Sequence, residues 1–482
     1  MPNVQYIRSE VAKMQPIWRM IKDTLAGQDA IKKGRVLYLP MPNSSDQSEE
    51  NLARYDDYVE RAVFYNVTQR THGGLVGQVF RRSPVVEIPN DIISLVTDVD
   101  GCGVSMDQQA KKALGEVLAY GRCGLFVDYP VSGGISKAQL DAGYIHPTID
   151  LYEPWEIINW RTRQVGSRCL LSLVVLRESF VAEDDGFEVK MKDQWRVLRL
   201  DETNTYHVDI YTKGADGQPL KVSFTPRDAK GKPLNEIPFV FCGSVNNDEN
   251  IDLPPLYDMA VLNIAHYRNS ADYEESCFIS GQPTPYFSGL TREWVDDVWK
   301  SKKVMLGSRA AVTLPEKGTA GMLQAESNTM PFEAMTQKEK QMISLGAKLV
   351  EQSTVQRTAT EARQEEASES SILSACATNI SAAYTQALKY CQIYTGGTDS
   401  VKYVLNTEFE LSKLSATEIQ QVIASWNGAA ITFEEMRNLL RKAGYTSVDD
   451  EKAKSAILEE GALRQAVQQQ QTVKQTTTET KI

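Results

Sequence analysis

Apolar residues in this chain recur with two periods, one near 3.6 residues and one of 2. The two periods divide it into helical and strand-rich stretches. Between Thr358 and Tyr394 the positions Leu373, Cys376, Ile380, Ala383, Ala387, Cys391 and Tyr394 fall at three- and four-residue steps and share one helical face. No Gly or Pro lies between Gly346 and Gly396, and Gly396-Gly397 supplies a left-handed stop. Thr358 and Glu361 form a capping box. The spacing predicts one unbroken helix, on the order of 50 Å long at about 1.5 Å per residue. Its first part carries Glu361, Glu365, Glu366 and Glu369 with little apolar cover. A helix polar all round either bridges solvent between lobes or packs on something outside the chain. The pattern leaves both readings open.

The same reasoning predicts further helices. Val11, Ile17, Trp18, Ile21 and Leu25 define a short one starting near Pro16 and stopping at Gly27. A second runs from about Glu49 to Phe80, its far end interrupted by Gly73, Gly74 and Gly77. Those glycines match neither dinucleotide-binding nor P-loop spacing, so close helix packing is the expected cause. A third covers 107–120 with Asp107 as N-cap, followed by a turn at Gly121–Gly124 and a strand at 125–129. From Arg168 to Gly243 the period becomes two, as in Phe187, Val189 and Met191, with Asp-Gly, Lys-Gly and Gly-Lys-Pro turns between runs. This predicts an antiparallel meander of four to six strands. Pro254-Pro255 opens a helix of about 25 residues, and Gly281–Gly289, with two prolines, breaks it. A basic helix at 291–303, two strands around Pro315–Gly318 and a helix at 330–352 follow. Beyond the long helix come a strand at 401–409, a helix at 417–426 and one at 432–443 with Thr432 and Glu435 as capping box. A further helical stretch at 451–463 is expected, and the tail from Gln465 is polar and low in complexity.

Composition narrows the chemistry. The 482 residues suggest two to four units, and 42% hydrophobic content provides a core. Seven cysteines without a C-x-x-C pair argue against a disulfide framework and a zinc site. The start has no basic segment followed by an apolar core, and no apolar run approaches ~20 residues, so a soluble intracellular protein without membrane contact is expected. A net charge of −11 disfavours a chain built to grip nucleic acid by its phosphates. His72, His146, His207 and His266 are scattered, and no nucleotide, hydrolase or zinc-protease motif is present. The expectation is a protein that is not an enzyme and has no metal or cofactor. Lys300, Lys302, Lys303 and Arg309 form one cationic cluster. Helix-end cations complementing the dipole are one reading, and a positive surface facing DNA is the other.

The long helix with its T-A-T-E start resembles the portal proteins of tailed bacteriophages, in particular a subgroup formerly carried as a domain of unknown function. The run GLVGQVFRRSP, the helix–glycine turn–strand order at 107–129 and the segment 149–161 resemble that family's wing. The segment from Asn246 to Ser280 with its Pro-rich reversal is the most specific part of the likeness. The resemblance covers nearly the whole chain and rests on the order of packing patterns. It implies an α+β, mostly helical fold with wing, stem, clip and crown, a long backbone helix and an antiparallel β segment. By the same likeness, 1–163 would be an N-terminal wing and 164–245 its β-rich part. Residues 246–303 would be stem helices with a clip at 280–290 formed by Gln282, Pro283, Thr284, Pro285, Tyr286 and Phe287. Wing strands and a helix would occupy 304–357, the backbone helix 358–396, a crown-like region 397–464 and a flexible tail 465–482.

The implied function is a ring, a dodecamer in that family, at one capsid vertex. It would be the conduit for double-stranded DNA during packaging and ejection. Its implied partners are the terminase large subunit, head-completion or tail adaptor proteins, and the major capsid or scaffold protein. Its implied place is the virion, after assembly in the host cytoplasm. Twelve copies would carry a charge on the order of −130, so DNA would slide past more than be held. The sequence lacks a strongly basic channel segment, which leaves the DNA-facing residues open. Other head–tail connectors, and a multidomain cytoplasmic enzyme with an unrecognised site, are the alternatives.

Overall fold

The computed structural model describes residues 3–129, 146–213, 219–300, 313–325, 328–350, 371–409, 416–428, 430–442, 445–446 and 450–459. The chain divides into two compact units, 1–407 and 408–482. In the first, the order is α1 (Ser9–Ala26), α2 (Gln28–Gly34), α3 (Glu49–Arg61), α4 (Val67–Val79), β1 (Val85–Glu87), α5 (Met106–Tyr120), β2 (Arg122–Asp128), β3 (Thr148–Tyr152), β4 (Ile157–Val165), β5 (Arg168–Asp184), β6 (Val189–Leu200), β7 (Tyr206–Lys213), β8 (Pro219–Phe224) and β9 (Phe239–Gly243). There follow α6 (Tyr257–Gly281), β10 (Thr284–Ser288), β11 (Thr319–Leu323), α7 (Met330–Lys348), α8 (Ile372–Thr395) and β12 (Lys402–Val404). The mixed helix and strand content agrees with the α+β expectation.

The core sits where α8 and α5 cover the antiparallel sheet β3-β2-β9. Every residue assigned to the apolar face of α8, from Leu373 to Tyr394, is buried. Polar bonds fix its register on the sheet and against α5. Asn379 Nδ2 donates to Gly243 O at 2.9 Å, and Tyr384 Oη donates to Gln109 Oε1 at 2.9 Å. The stretch read as one meander divides between two sheets. Strands β4 to β8 form a five-stranded up-and-down sheet in chain order, while β9 joins β2. The division placed after residue 163 falls inside β4.

Several local expectations are corrected. The long helix does not run unbroken from Thr358. Ser371 has an extended backbone and its hydroxyl accepts from Ser374 N, so the helix starts at Ile372 and has 24 residues. Residues 358–370 and their four glutamates lie outside the described residues. Helix α1 runs through Pro16, because burial of Val11, Trp18, Ile21 and Thr24 outweighs one missing backbone bond. The helix expected over 49–80 is two, since Asn66 caps a new helix by accepting from Gln69 N at 3.0 Å. Gly73, Gly74 and Gly77 lie inside α4, and a Cβ at any of them would meet nothing within 4 Å. The close approach is instead at Gly115, where a Cβ would stand 3.1 Å from His72 Nε2. Ser105, not Asp107, caps α5, and Asp107 accepts from Tyr403 Oη at 3.0 Å. Gly124 belongs to β2, not to the turn.

The unit 408–482 contains α9 (Ala416–Asn427), α10 (Phe433–Lys442) and helical residues 450–459. The capping box at Thr432 and Glu435 is formed in both directions, at 2.7 and 3.2 Å.

A half-buried carboxyl makes folding depend on pH. Burial pushes the Asp150 carboxyl up to about 7, with the neighbouring Asp128 and Glu178 adding to it against Arg196. The folded chain then holds a proton that the unfolded chain releases near 3.8. Stability from this group is full below about pH 4 and is lost as pH rises towards 7. Asp150→Asn is therefore expected to melt with the parent at pH 4 and above it at pH 8. Parallel melting curves across that range would reject the assignment.

Candidate assembly surface

Helix α6 starts inside the core and ends outside it. Met259, Ala260, Asn263, Ile264, His266, Tyr267, Ser270 and Ala271 are buried, and no residue of the helix beyond Ala271 is. At 1.5 Å per residue, Asp272–Gly281 extends roughly 15 Å past the last buried position. The buried polar residues fasten its base. Asn263 Oδ1 accepts from Thr68 N at 3.1 Å and Thr68 Oγ1 at 2.9 Å, and its Nδ2 donates to Tyr65 O at 2.8 Å. Ser270 Oγ accepts from Val63 N at 3.0 Å. On the outer half, Arg61 pairs with Glu275 at 2.6 Å and lies 4.3 Å from the centre of the Phe278 ring.

The helix packed along α6 is α7. Gly346 stands beside Met259, His266 Nε2 is 3.2 Å from Glu339, Lys338 Nζ donates to Asn269 at 2.5 Å, and Tyr273 lies 6.0 Å from Phe332. One set of numbers rises as the other falls, so the helices are antiparallel. The portal resemblance implies that α6 pairs with a helix at 291–303. Among described residues that segment gives only one α turn, Arg292–Trp294, and the π-helical turn Val295–Lys300. Trp294 holds this turn down by donating to Thr313 O at 2.7 Å.

Between the helices lies an antiparallel hairpin of β10 and β11, in which Tyr286 faces Gly321 and Phe287 faces Ala320. A Cβ at Gly321 would come within 2.8 Å of the Tyr286 ring, so the missing side chain seats that ring. Gln282 and Pro283 lead into β10, and Thr284, Pro285, Tyr286 and Phe287 belong to it. Pro285 costs little there, because each strand of this two-stranded sheet has a free edge. The pairing of β10 with β11 was out of reach because the partners lie over 30 residues apart, and the Pro315–Gly318 turn pointed to a strand just before it as the partner of β11.

The outer surface of this projection carries several large exposed apolar side chains among polar ones. Tyr286, Met322, Leu323, Met330, Phe332 and Ile343 are all more than half exposed, Leu323 by 70% and Met330 by 74%. Large apolar side chains left exposed on neighbouring elements are consistent with a surface that is covered in an assembly.

Of the four cations in the predicted cluster, Lys300 pairs with Asp296 at 2.8 Å and is exposed. Lys302, Lys303 and Arg309 lie outside the described residues. Among described residues no group of three or more His, Cys, Asp or Glu is placed to hold a metal ion. No described helix is long and apolar enough to cross a membrane.

Comparison with known proteins gives three findings. Residues 255–395, which span this projection and α8, match the family described as "Domain of unknown function (DUF4055)". A search of curated proteins finds no match. Among solved structures, a chain of the virion of the native gene transfer agent (GTA) particle is similar with a TM-score of 0.41 and 13% identity, over 85% of this chain and 98% of that one. A chain from the neck of the empty GTA particle, computed with C6 symmetry, is similar with a TM-score of 0.42 and 14% identity, over 81% of this chain and 93% of that one.

Proposed function

We propose that the chain is a subunit of a phage portal, a closed ring at one capsid vertex through which double-stranded DNA enters and leaves. The observation that carries this reading is the helical projection on which Tyr286, Met322, Leu323, Met330, Phe332 and Ile343 are more than half exposed. In a ring each projection lies against the same projection of a sister copy, which removes those side chains from water. The order of sequence motifs that resembles portal proteins supports the same reading.

The portal acts as a conduit and carries out no chemical step. Its hairpin of β10 and β11, including Gln282–Phe287, is the docking place for the terminase large subunit during packaging and for head-completion or tail adaptor proteins afterwards. The capsid or scaffold protein surrounds the ring in the virion. Lys300, Lys302, Lys303 and Arg309 face the DNA without reading its sequence. With Lys302 and Lys303 both changed to Glu, packaged DNA per head is expected to fall at least several-fold while ring formation is unchanged. Heads filled to the parental level would reject the DNA-facing role.

A further inference from the structure

Strands β5 and β6 outrun their sheet. β4 pairs with β5 only as far as Leu176, and β7 pairs with β6 only from Gln194. Among the described residues, Glu178 to Asp193 therefore forms a two-stranded arm, paired out to Asp184 opposite Val189. No residue of this stretch is buried. At about 3.3 Å per residue the arm reaches roughly 20 Å past the sheet. A two-stranded hairpin alone is marginal in water, so an arm of this kind gains from cover.

The tip of the arm carries Phe187, the most exposed large apolar side chain among the described residues. Its turn is built. Gly186 has φ +90°, and Asp184 Oδ1 accepts from Gly186 N at 2.8 Å. Asp185 Oδ1 accepts from Phe187 N at 2.9 Å and from Glu188 N at 2.6 Å. An aromatic ring held on such a turn loses little freedom when it docks. Val181 and Met191, paired across the arm and both more than half exposed, extend the apolar surface behind it. The tip is also acidic. Glu183 pairs with Lys190 at 2.7 Å, while Asp184, Asp185 and Glu188 stand outside any ion pair among the described residues.

A cleft of about 530 Å³ between α4 and α5 has the opposite character. Leu25, Val76, Ala119 and Tyr120 supply apolar lining. Gly73 and Gly77, about one turn apart on α4, leave a wall bare, since nothing stands within 4 Å of where their Cβ atoms would be. The volume falls in the range of sites that enclose a small molecule, which is ample for one aromatic side chain. Its charged lining residues are Lys111, Lys112 and Glu116. Oε2 of Glu116 is shut off from solvent, and Lys112 pairs with Glu153 at 3.1 Å. Lys111, 5.6 Å from the centre of the Phe80 ring and without an ion pair among the described residues, is the open charge, and it is positive.

We propose that the β5–β6 arm of each copy docks on the next copy of this chain, with Phe187 in the α4–α5 cleft and the acidic tip towards Lys111. The inference rests on the ring reading and names two faces that meet in it. Tip and cleft are unlike patches of one chain, so the contact runs head to tail, and head-to-tail contacts close into rings when their rotation allows.

Phe187→Asp and Gly77→Leu test the contact from its two sides. Each should weaken association by about ten-fold or more in sedimentation velocity, as loss of a central aromatic anchor does. Phe187→Trp keeps a ring and should assemble as the parent does. Phe187 is wholly exposed within its own chain, so Phe187→Asp should melt with the parent, and a melting curve establishes that Gly77→Leu folds. Cross-linking reads the pairing itself. The exposed Cys102, Cys169 and Cys277 are first changed to Ser. A chain with both Phe187→Cys and Gly77→Cys, treated with bismaleimidoethane, should then give a ladder of covalent multimers on a denaturing gel, and neither single variant should. A ladder from a protein that shows no fixed copy number by native mass would keep the docking and remove the closed ring. Closed rings without a ladder, with Phe187→Asp assembling as the parent does, would overturn the docking and leave the ring. An equal ladder from Phe187→Cys alone would set arm against arm and overturn it too.

Discussion

Leu323→Asp combined with Met330→Asp is expected to leave single subunits under conditions in which the proposed portal ring forms from the parent. Both side chains are among the most exposed large apolar residues of the chain, and both lie on the projection formed by α6, the β10–β11 hairpin and α7. Covering a Leu or Met side chain contributes about 1.5–3 kcal/mol. Each ring contact would lose about 3–6 kcal/mol, before counting the cost of burying two carboxylates. A loss of about 3 kcal/mol per contact already weakens association by more than a hundred-fold. The fold should be untouched, because neither residue contributes to a buried core. Sedimentation velocity reads the outcome directly: a fast boundary for the parent, a slow one for the variant, and the same melting curve for both. A variant that still sediments as the parent does would remove the projection from the ring contact.

The second large effect is internal. Gly121 ends α5 with φ +75°, and a Cβ there would stand 2.4 Å from Asp252 O. Gly121→Ala therefore combines a left-handed conformation, costing about 1–2 kcal/mol for an L residue, with a clash against backbone that cannot rotate away. The loss should reach about 3 kcal/mol or more, among the larger single-residue effects. In urea the unfolding midpoint of the core signal should drop by roughly 1 M, since small-protein slopes are about 1–3 kcal/mol per M. Gly103→Ala is the control. It too has a positive φ, +85°, but open space around it, so it should show only the conformational part. Equal midpoints for the two variants would mean that the backbone relaxes around Asp252.

Gly121 was legible in the sequence because a glycine after an apolar-periodic run has few other uses. The buried face of α8 was legible for the same kind of reason: seven apolar positions at helical steps leave one arrangement. Local capping was readable only in part. Thr432 with Glu435 was found, but Ser371 and Asn66 were passed over in favour of longer helices. In both cases apolar spacing continued across the cap, and a single Ser or Asn carries little weight against such a run. Glycine was over-read on α4, where Gly73 and Gly77 open a cleft and pack against nothing. The pairing of α6 with α7 was out of reach. It depends on which of two downstream helices folds back, and Thr291–Lys303 has the charge and aromatic content of a plausible helix. The protruding arm was invisible because Phe187, Val189 and Met191 read as ordinary strand alternation. Its exposure comes from where β4 and β7 stop, which a period of two does not record.

The account depends most on the claim that sister copies cover the apolar projection by closing into a ring. Native mass spectrometry of the purified protein over a range of concentrations tests this. One closed species of a fixed high copy number, twelve in the resembling family, is expected, with few intermediates. A protein that remains a single subunit at every concentration would contradict it.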